Sequence, residues 1–414
     1  MSPLQSYRRL FGLTGPTYVV VAFLARLPLA MSQLGVLLLV ATATGSYGAG
    51  GASAGALAIA NAIGAPLWGA LADRVGQRPV VLVQSIGGAL GIAGLLATVH
   101  SGAPWGYAAA TSAVAGLLLP QIGPLARVRW RPITAGTGEH RPRLVATAFS
   151  YEGAADEASF VLGPALVGLG VSIASPTAAL AGAAVVLALF GAWFALDRTA
   201  RLTDAARSAG SAGAGRLLTP ALVLLCVSQL VIGTVFGSVQ TGTSVIATAA
   251  GQPGLTGYFH ALLGVGSVVA GLGMAAVPAR FALAARLRWF AVTLLVLAVP
   301  LLLVGSLGTL APVLLVLGFS VAPYMITTFM LGARVTSAAR TGAAMTLLAA
   351  ATGLGYALGA AIAGRLADWG GHTPAFAVTV GAGVLAVLVS WSGAATLTRA
   401  DVPHPEPEPQ PVTA

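Results

Sequence analysis

Long apolar runs alternate with short polar stretches along the whole chain. A helix of about 20 apolar residues crosses the hydrocarbon core of a bilayer, and the chain holds roughly twelve runs of that length. They cover approximately residues 16–42, 48–71, 79–99, 104–126, 144–172, 176–196, 217–246, 253–278, 287–306, 309–333, 341–365 and 373–397. The pattern predicts an all-α membrane protein, whose transmembrane helices we number as spans one to twelve.

Composition supports a membrane protein and argues against a nucleic-acid-binding protein. Hydrophobic residues make up 57% of the 414 residues, and charged residues only 8%. Soluble domains carry about 25% charged residues, so an ordinary soluble protein is excluded. The net charge of +10 comes from arginines in short clusters between the apolar runs, which is typical of membrane topology. We therefore expect a lipid bilayer, and no nucleic acid, as a partner.

The arginine clusters predict the orientation of the bundle. Two arginines precede span one, and most others follow an even-numbered span. These arginines are Arg8, Arg9, Arg74, Arg78, Arg127, Arg129, Arg131, Arg141, Arg143, Arg198, Arg201, Arg207, Arg216, Arg280, Arg286, Arg288, Arg334, Arg340 and Arg399. The positive-inside rule then places both termini in the cytoplasm. The 21 basic residues include no lysine, which fits a GC-rich bacterial genome, so we expect the bacterial cytoplasmic membrane.

An internal repeat predicts two related halves. The stretch AFSYEGAADEASFVLGPALVG in span five aligns with AMTLLAAATGLGYALGAAIAG in span eleven, so that Gly163 meets Gly359 and Gly168 meets Gly364. A similarity between spans six helices apart indicates a six-plus-six duplication. The predicted organisation is a cytoplasmic N-terminal tail (1–15), a six-helix bundle (16–197), a flexible cytoplasmic linker (198–216), a second six-helix bundle (217–398) and a disordered cytoplasmic tail (399–414).

The loop after span two carries the sequence GALADRVGQRPVVL. It resembles the signature loop of the major facilitator superfamily, with a departure at Gln77, where the family often has a basic residue. The matching residues are Gly69, Leu71, Asp73, Arg74, Gly76, Arg78 and Leu82. The resemblance implies two pseudo-symmetric six-helix bundles that rock about a central site and expose it to each side in turn, as secondary transporters do.

The same resemblance implies a cytoplasmic gate in this loop. Asp73 would contact the N-terminus of span eleven, where exposed N–H groups stabilise an acid by roughly 0.3–1 kcal/mol. Arg74 and Arg78 would complete the charge network, and Gly76 would permit the turn. The alternative is that these charges serve only as topology determinants.

A second, partial resemblance lies in span five. The stretch SFVLGPALVG is similar to the span-five signature of drug and metabolite antiporters in this superfamily, through Ser159, Gly163, Pro164 and Gly168. Small residues there would let span five lie against span eight, and Pro164 would bend the helix. Ordinary packing of small residues explains the same pattern, so the match favours antiport without deciding it.

Span five also carries three acids at membrane depth, Glu152, Asp156 and Glu157. Each such acid costs roughly 2.5–3.5 kcal/mol on insertion scales, so each is expected to pair, to face water or to be protonated. At about 100° per residue, Glu152, Asp156, Ser159 and Gly163 share one stripe, and Glu157 points away from it.

Arg26 is the basic residue that the sequence places deep in a span, at a depth in span one that matches Glu152 and Asp156 in span five. We expect Arg26 to pair with one of them, which leaves Glu157 or Asp156 without a basic partner. Burial disfavours the charged form of an unpaired carboxyl group, which suits a proton carrier. The hypothesis is that span five carries a coupling proton and that Arg26 modulates it. A purely structural arginine–acid network is the alternative.

Five polar residues lie on the spans that line the central cavity in the superfamily: Gln33, Gln121, Gln229, Gln240 and Tyr324. For each of them, packing between helices is the alternative to substrate contact. The motif GASAG at the start of span two resembles a hydrolase nucleophile turn, but a helical chain offers no strand to support it. No metal-ligand or phosphate-loop signature is present, so we expect no metal, no cofactor and no enzymatic activity.

The predicted function is secondary active transport of a small, fairly apolar compound, by proton-coupled efflux in an antiport cycle and with a monomeric protein. An importer of a small metabolite, by proton symport or facilitated uptake, is the alternative within transport. A membrane sensor or scaffold that moves no solute is the alternative from another class.

Overall fold

The computed structural model describes residues 2–203, 217–252, 255–278 and 281–400. These residues form helices and connecting turns, with no strand among them. The spans are Pro16–Thr44, Tyr47–Val75, Gln77–His100, Trp105–Leu118 with Ile122–Ile133, Arg141–Ile173, Pro176–Val186 with Leu187–Gly191 and Ala192–Leu196, Pro220–Ala249, Thr256–Gly273 with Met274–Ala276, Leu283–Ala298 with Val299–Leu303, Leu307–Val335, Thr341–Gly370 and His372–Ser392. Shorter helices are Pro3–Thr14, Ala135–His140, Ala338–Arg340 and Ala394–Ala400.

The twelve predicted spans are confirmed as helices long and apolar enough to cross a membrane, counted over the described ranges. The prediction was wrong about the end of span four. Its second segment, Ile122–Ile133, continues past the predicted boundary at residue 126. Arg127 and Arg129 are therefore buried inside the bundle instead of marking a loop, because Asp156 pairs with Arg127 and Gln77 accepts a hydrogen bond from Arg129.

Local sequence explains where the helices begin and end. Ser175 and Thr219 each accept a hydrogen bond from the first turn of the following span, and a proline follows each of them at the first helical position. Both features are typical of a helix start, because they satisfy or remove N–H groups that have no partner in the helix. Gly76, with φ of 99°, separates spans two and three in a conformation that other residues rarely adopt.

Equivalent glycines pack against equivalent spans in the two halves. A side chain at Gly163 of span five would collide with Ala30 of span one, and a side chain at Gly359 of span eleven would collide with Thr234 of span seven. This pairing supports the internal duplication. The predicted tail at 1–15 forms the helix Pro3–Thr14, and residues 199–203 at the start of the predicted linker are also helical. Residues 204–216 and 401–414, which hold the rest of the linker and most of the C-terminal tail, lie outside the described residues.

We call the end of the bundle that carries the arginine clusters the basic face. The hydrophobic core of the second half extends there to Phe149 and to the partly buried Val128 and Val145, all from the first half. The helix Pro3–Thr14 lies at the same face, where the Tyr7 hydroxyl donates to the Leu272 carbonyl of span eight at 2.8 Å. The two halves are therefore packed together at the basic face.

Candidate functional site

A buried ion-pair cluster joins spans one and five. The Arg26 guanidinium donates to the Glu152 carboxylate at 2.5 Å and to the Asp156 carboxylate at 3.2 Å. Arg26 is 4% exposed and Glu152 is completely buried. The predicted pairing of Arg26 with the span-five stripe is confirmed, with both acids of the stripe as partners.

Glu152 is fully engaged in this cluster. Its second carboxylate oxygen accepts a hydrogen bond of 2.6 Å from the indole N–H of Trp130 in span four. The Trp130 ring in turn packs edge-on against Tyr18 of span one, with ring centroids 5.7 Å apart. Because both oxygens of Glu152 have a partner and water is excluded, this acid serves to hold spans one, four and five together.

Asp156 has a second arginine that the sequence did not reveal. Arg127 of span four donates to Asp156 Oδ2 at 2.7 Å, so the expectation that Arg26 is the sole deep basic residue was wrong. Gly123 allows this approach, because a side chain there would collide with the Asp156 carboxylate. Asp156 remains 17% exposed in its side chain, more than the other members of the cluster. It is therefore the least buried member of the cluster.

Glu157 points away from the cluster and into the interface between the two halves. It is 4% exposed, and no basic side chain of the described residues lies within ion-pair distance of it. The hydroxyl of Ser267 in span eight is close enough to influence it, but that hydroxyl makes no hydrogen bond of good geometry in the structure. One turn to either side, span five meets glycines of span eight: Val161 faces Gly264, and Ala154 faces Gly271.

The predicted contact of Asp73 with span eleven is confirmed. Its two carboxylate oxygens accept hydrogen bonds from the backbone N–H groups of Gly342 and Ala343 at 2.9 and 2.8 Å. The helix Thr341–Gly370 has no side-chain cap of its own, so an acid from the other half caps it. Gly342 permits the contact, because a side chain there would collide with the Asp73 carboxylate.

The two arginines of the signature loop do not take part in this contact. Arg74 is exposed, and neither Arg74 nor Arg78 makes an ion pair within the described residues. The basic residue that acts electrostatically on Asp73 is Arg340, just before span eleven. The predicted charge network around Arg74 and Arg78 was therefore wrong, and these two residues fit the alternative role of topology determinants.

Gln77, the departure from the family loop, has a structural role that the sequence did not reveal. Its side chain is 3% exposed and bridges Arg129 Nε, at 2.9 Å, and the Leu125 carbonyl, at 3.2 Å. Arg129 also donates to the Phe194 carbonyl at 2.8 Å and lies over the Phe194 ring at 3.6 Å. These contacts join spans three, four and six at the basic face.

Span four is interrupted between Leu118 and Ile122, and span two satisfies the exposed carbonyl groups. The Asn61 amide donates to the carbonyls of Gly116 and Leu119 at 3.0 and 2.9 Å. The Gln121 amide donates to Asn61 Oδ1 at 2.7 Å. The sequence signal was Pro120, which removes a backbone donor inside an apolar run. Non-helical backbone at membrane depth requires such partners.

No protein-family model matches the sequence, and no curated protein matches it significantly. Solved structures match over nearly the whole chain. The human organic anion transporter MFSD10 (TETRAN) is 20% identical, with a TM-score of 0.67 over 90% of this chain and 98% of that one.

The chain has the fold of the major facilitator superfamily. A bacterial homologue of the iron transporter ferroportin, solved in an outward-facing state, is 14% identical, with a TM-score of 0.68 over 91% of this chain and 98% of that one. The E. coli fucose:proton symporter FucP is 14% identical, with a TM-score of 0.63 over 92% and 98% of the two chains. The predicted all-α fold of two six-helix bundles is thus confirmed.

The small-residue motif of span five packs against span one through Gly163. Gly163 packs against Ala30 and Met31 of span one, contrary to the expectation that it faces span eight. The close approach to span eight relies on Gly264 and Gly271 of span eight itself. Ser159 is buried and donates to the Asp156 carbonyl at 2.7 Å, whereas Gly168 has nothing near its Cα.

The five polar residues proposed for the superfamily's central cavity differ in environment. Gln33 is exposed, Gln240 is partly exposed, and Gln121 is held by Asn61. Gln229 and Tyr324 are completely buried, and their side-chain polar atoms have no hydrogen-bond partner. Their contact with a substrate stays a prediction. Within the described residues, no group of three His, Cys, Asp or Glu side chains could hold a metal.

Proposed function

We propose that this protein is a secondary active transporter of the bacterial cytoplasmic membrane that exports a small, fairly apolar compound in exchange for protons. It would work as a monomer, with both termini and the basic face in the cytoplasm. Alternating access by two six-helix bundles accounts for transport without ATP. The observation that supports the proton coupling is Glu157, a buried acid in the interface between the halves that has no basic partner among the described residues.

The surroundings of Glu157 favour a bound proton in this conformation. Ser267 is the polar group that faces it from span eight, and Asp156 is the nearest acid on its own helix. An ionised carboxylate left unpaired there would cost several kcal/mol. We infer that Glu157 carries a proton while spans five and eight are packed together, and that it releases the proton when they separate at the basic face.

The arginine–acid cluster supplies the route to Glu157 in this proposal. Asp156 precedes Glu157 in span five and is partly exposed, so it can pass a proton on. Arg26 and Arg127 each bind one carboxylate oxygen of Asp156, at 3.2 and 2.7 Å. Glu152 has both oxygens occupied and would act as structural support.

The sequence of span five bears on the direction of transport. The partial match of Ser159, Gly163, Pro164 and Gly168 to the antiporter signature favours export. Two structural neighbours are described as proton symporters, of fucose and of xylose, so proton-driven import is the competing candidate. A single vesicle assay separates the two directions.

The test uses inverted membrane vesicles with an acidic interior and a pH-sensitive dye. Lipophilic drugs and small metabolites are added outside, to wild type, Glu157→Gln, Asp156→Asn and Glu152→Gln. Antiport predicts proton release from the lumen in wild type and its loss in Glu157→Gln. Glu139→Gln is the matched control, because Glu139 is an exposed acid at the basic face.

Proton release that occurs only when the compound is inside the lumen would show proton-coupled import. If no compound moves protons in either arrangement, or if Glu157→Gln behaves as wild type, proton coupling through Glu157 is wrong. A complete absence of solute movement would favour a membrane sensor or scaffold.

A further inference from the structure

Arg127 makes its two main contacts with opposite halves of the molecule. Its Nη1 donates to Asp156 of the first half at 2.7 Å. The face of its guanidinium lies over the ring of Phe329 in span ten of the second half, 4.2 Å from the centroid. Arg127 is 1% exposed, and its Nε and Nη2 atoms have no hydrogen-bond partner in the part of the chain that the structure describes. Asp156 is therefore its sole ion-pair partner among the described residues.

Neighbouring contacts show that Arg127 lies in the interface between the two halves at the basic face, where spans four and five pack against span ten. Arg131, one turn further along span four, donates to the Ala333 carbonyl of span ten at 2.5 Å. Gly153 of span five lies so close to Ile326 of span ten that a side chain at Gly153 would collide with it. The Phe329 contact lies between these two along span ten. Separation of the halves at the basic face must therefore uncover Arg127.

A buried arginine needs a counter-charge. This requirement links the ion pair of Arg127 with Asp156 to its contact with Phe329. Removing one member of a buried ion pair is strongly destabilising, because the other charge stays buried and uncompensated. Arg26 is protected from this cost, because it keeps Glu152 when Asp156 is neutral. Arg127 has no second acidic partner among the described residues. With a neutral Asp156, it is stabilised only by leaving Phe329 and reaching water.

We propose that Arg127 couples the charge of Asp156 to the contact between spans four and ten. Neutralising Asp156 would then release Arg127 from Phe329 and open the basic face. The charged and titratable groups around Asp156 are Arg26 of span one, Arg127 of span four, and Tyr151, Glu152 and Glu157 of span five. Arg127 is the one of these that also touches the second half through an aromatic ring. The inference rests on the proposed function only in taking a proton as the agent that neutralises Asp156.

The test measures the width of the basic face directly. Spin labels are placed at Ala135→Cys and Ala276→Cys, exposed positions of the two halves at the basic face, in a Cys226→Ser background. Asp156→Asn removes the charge and keeps the shape. We expect it to raise the ratio of the long-distance to the short-distance population by about a hundredfold.

The double variant Asp156→Asn with Arg127→Met tests whether the unpaired arginine causes the opening seen in Asp156→Asn. It leaves no unpaired arginine between spans four and ten, and replacing a buried ion pair by apolar groups often leaves stability unchanged. We expect it to return to the short distance of wild type. A double variant as open as Asp156→Asn, or a single variant as closed as wild type, would overturn the proposal.

A pH titration of the wild type keeps the test decisive if a variant at position 156 does not fold. Acidification should lengthen the distance in wild type and leave the Arg127→Met protein unchanged. The same response in both proteins would overturn the proposal. Proton flux is not part of these readouts, so the transport function and this link between charge and closure can fail separately.

Discussion

The contact between Asp73 and span eleven, which we predict to close the basic face, can be tested by replacing one carboxylate oxygen with an NH₂ group. In Asp73→Asn, one oxygen still accepts a hydrogen bond, but an NH₂ group then faces the N–H of Gly342 or Ala343. A hydrogen bond to a charged group contributes about 1.5–3 kcal/mol, and the helix N-terminus adds roughly 0.3–1 kcal/mol for a negative charge. The variant therefore weakens closure of the basic face by about 2–3 kcal/mol, or roughly thirtyfold or more.

The assay is the distance between spin labels at Ala135→Cys and Ala276→Cys in the Cys226→Ser background. Asp73→Asn should raise the long-distance population, with the unfolding temperature little changed. Arg74→Gln is the matched control, because it removes a charge from the same loop without touching span eleven. Equal distance distributions for Asp73→Asn and wild type, or an equal effect of Arg74→Gln, would refute the reasoning.

Three further substitutions test the packing around the ion-pair cluster. Gly123→Ala should push Asp156 away from Arg127 and reduce proton release in inverted vesicles, whereas Gly136→Ala, at a glycine with open space around it, should not. Asn61→Leu should leave the Leu119 carbonyl of interrupted span four unpaired and lower stability by about 1–3 kcal/mol in thermal unfolding; an unchanged melting temperature would contradict this. Trp130→Phe should leave one Glu152 oxygen unpaired and cost about 1–3 kcal/mol, measured in the same way; no loss would show that water replaces the indole.

The number of spans could be predicted because apolar length is a direct physical requirement of the bilayer. The Asp73 contact could be predicted because the loop sequence carries a family resemblance, and the Arg26 pairing because a charge at membrane depth needs a partner. These inferences use properties that are local in sequence, or a depth that can be counted from the end of a span.

The position of Arg127 could not be predicted in the same way. Arginines near the end of an apolar run normally mark a loop, and span four continues because Asp156 and Gln77, remote in sequence, satisfy Arg127 and Arg129. The Phe329 contact is likewise invisible in the sequence, since it joins the two halves. Pro120 and Gly123 were local signs of an irregular span, but the partners that stabilise it come from span two.

The distinction between Asp156 and Glu157 also required the three-dimensional arrangement. Helical periodicity placed them on different faces, and the sequence left open which of them lacks a basic partner. Two arginines converge on Asp156, whereas Glu157 faces span eight. The proposal of Glu157 as the proton carrier therefore depends on packing between spans, which is set by residues far apart in the chain.

The most direct test of proton coupling compares two modes of transport in liposomes that contain the purified protein. The solute is the compound found in the vesicle assay. We predict that Glu157→Gln keeps substrate exchange between the two sides at zero pH gradient and loses transport driven by a pH gradient. Substrate exchange needs alternating access alone, whereas gradient-driven transport also needs the proton. Gradient-driven transport that survives in Glu157→Gln at the wild-type rate would contradict the account.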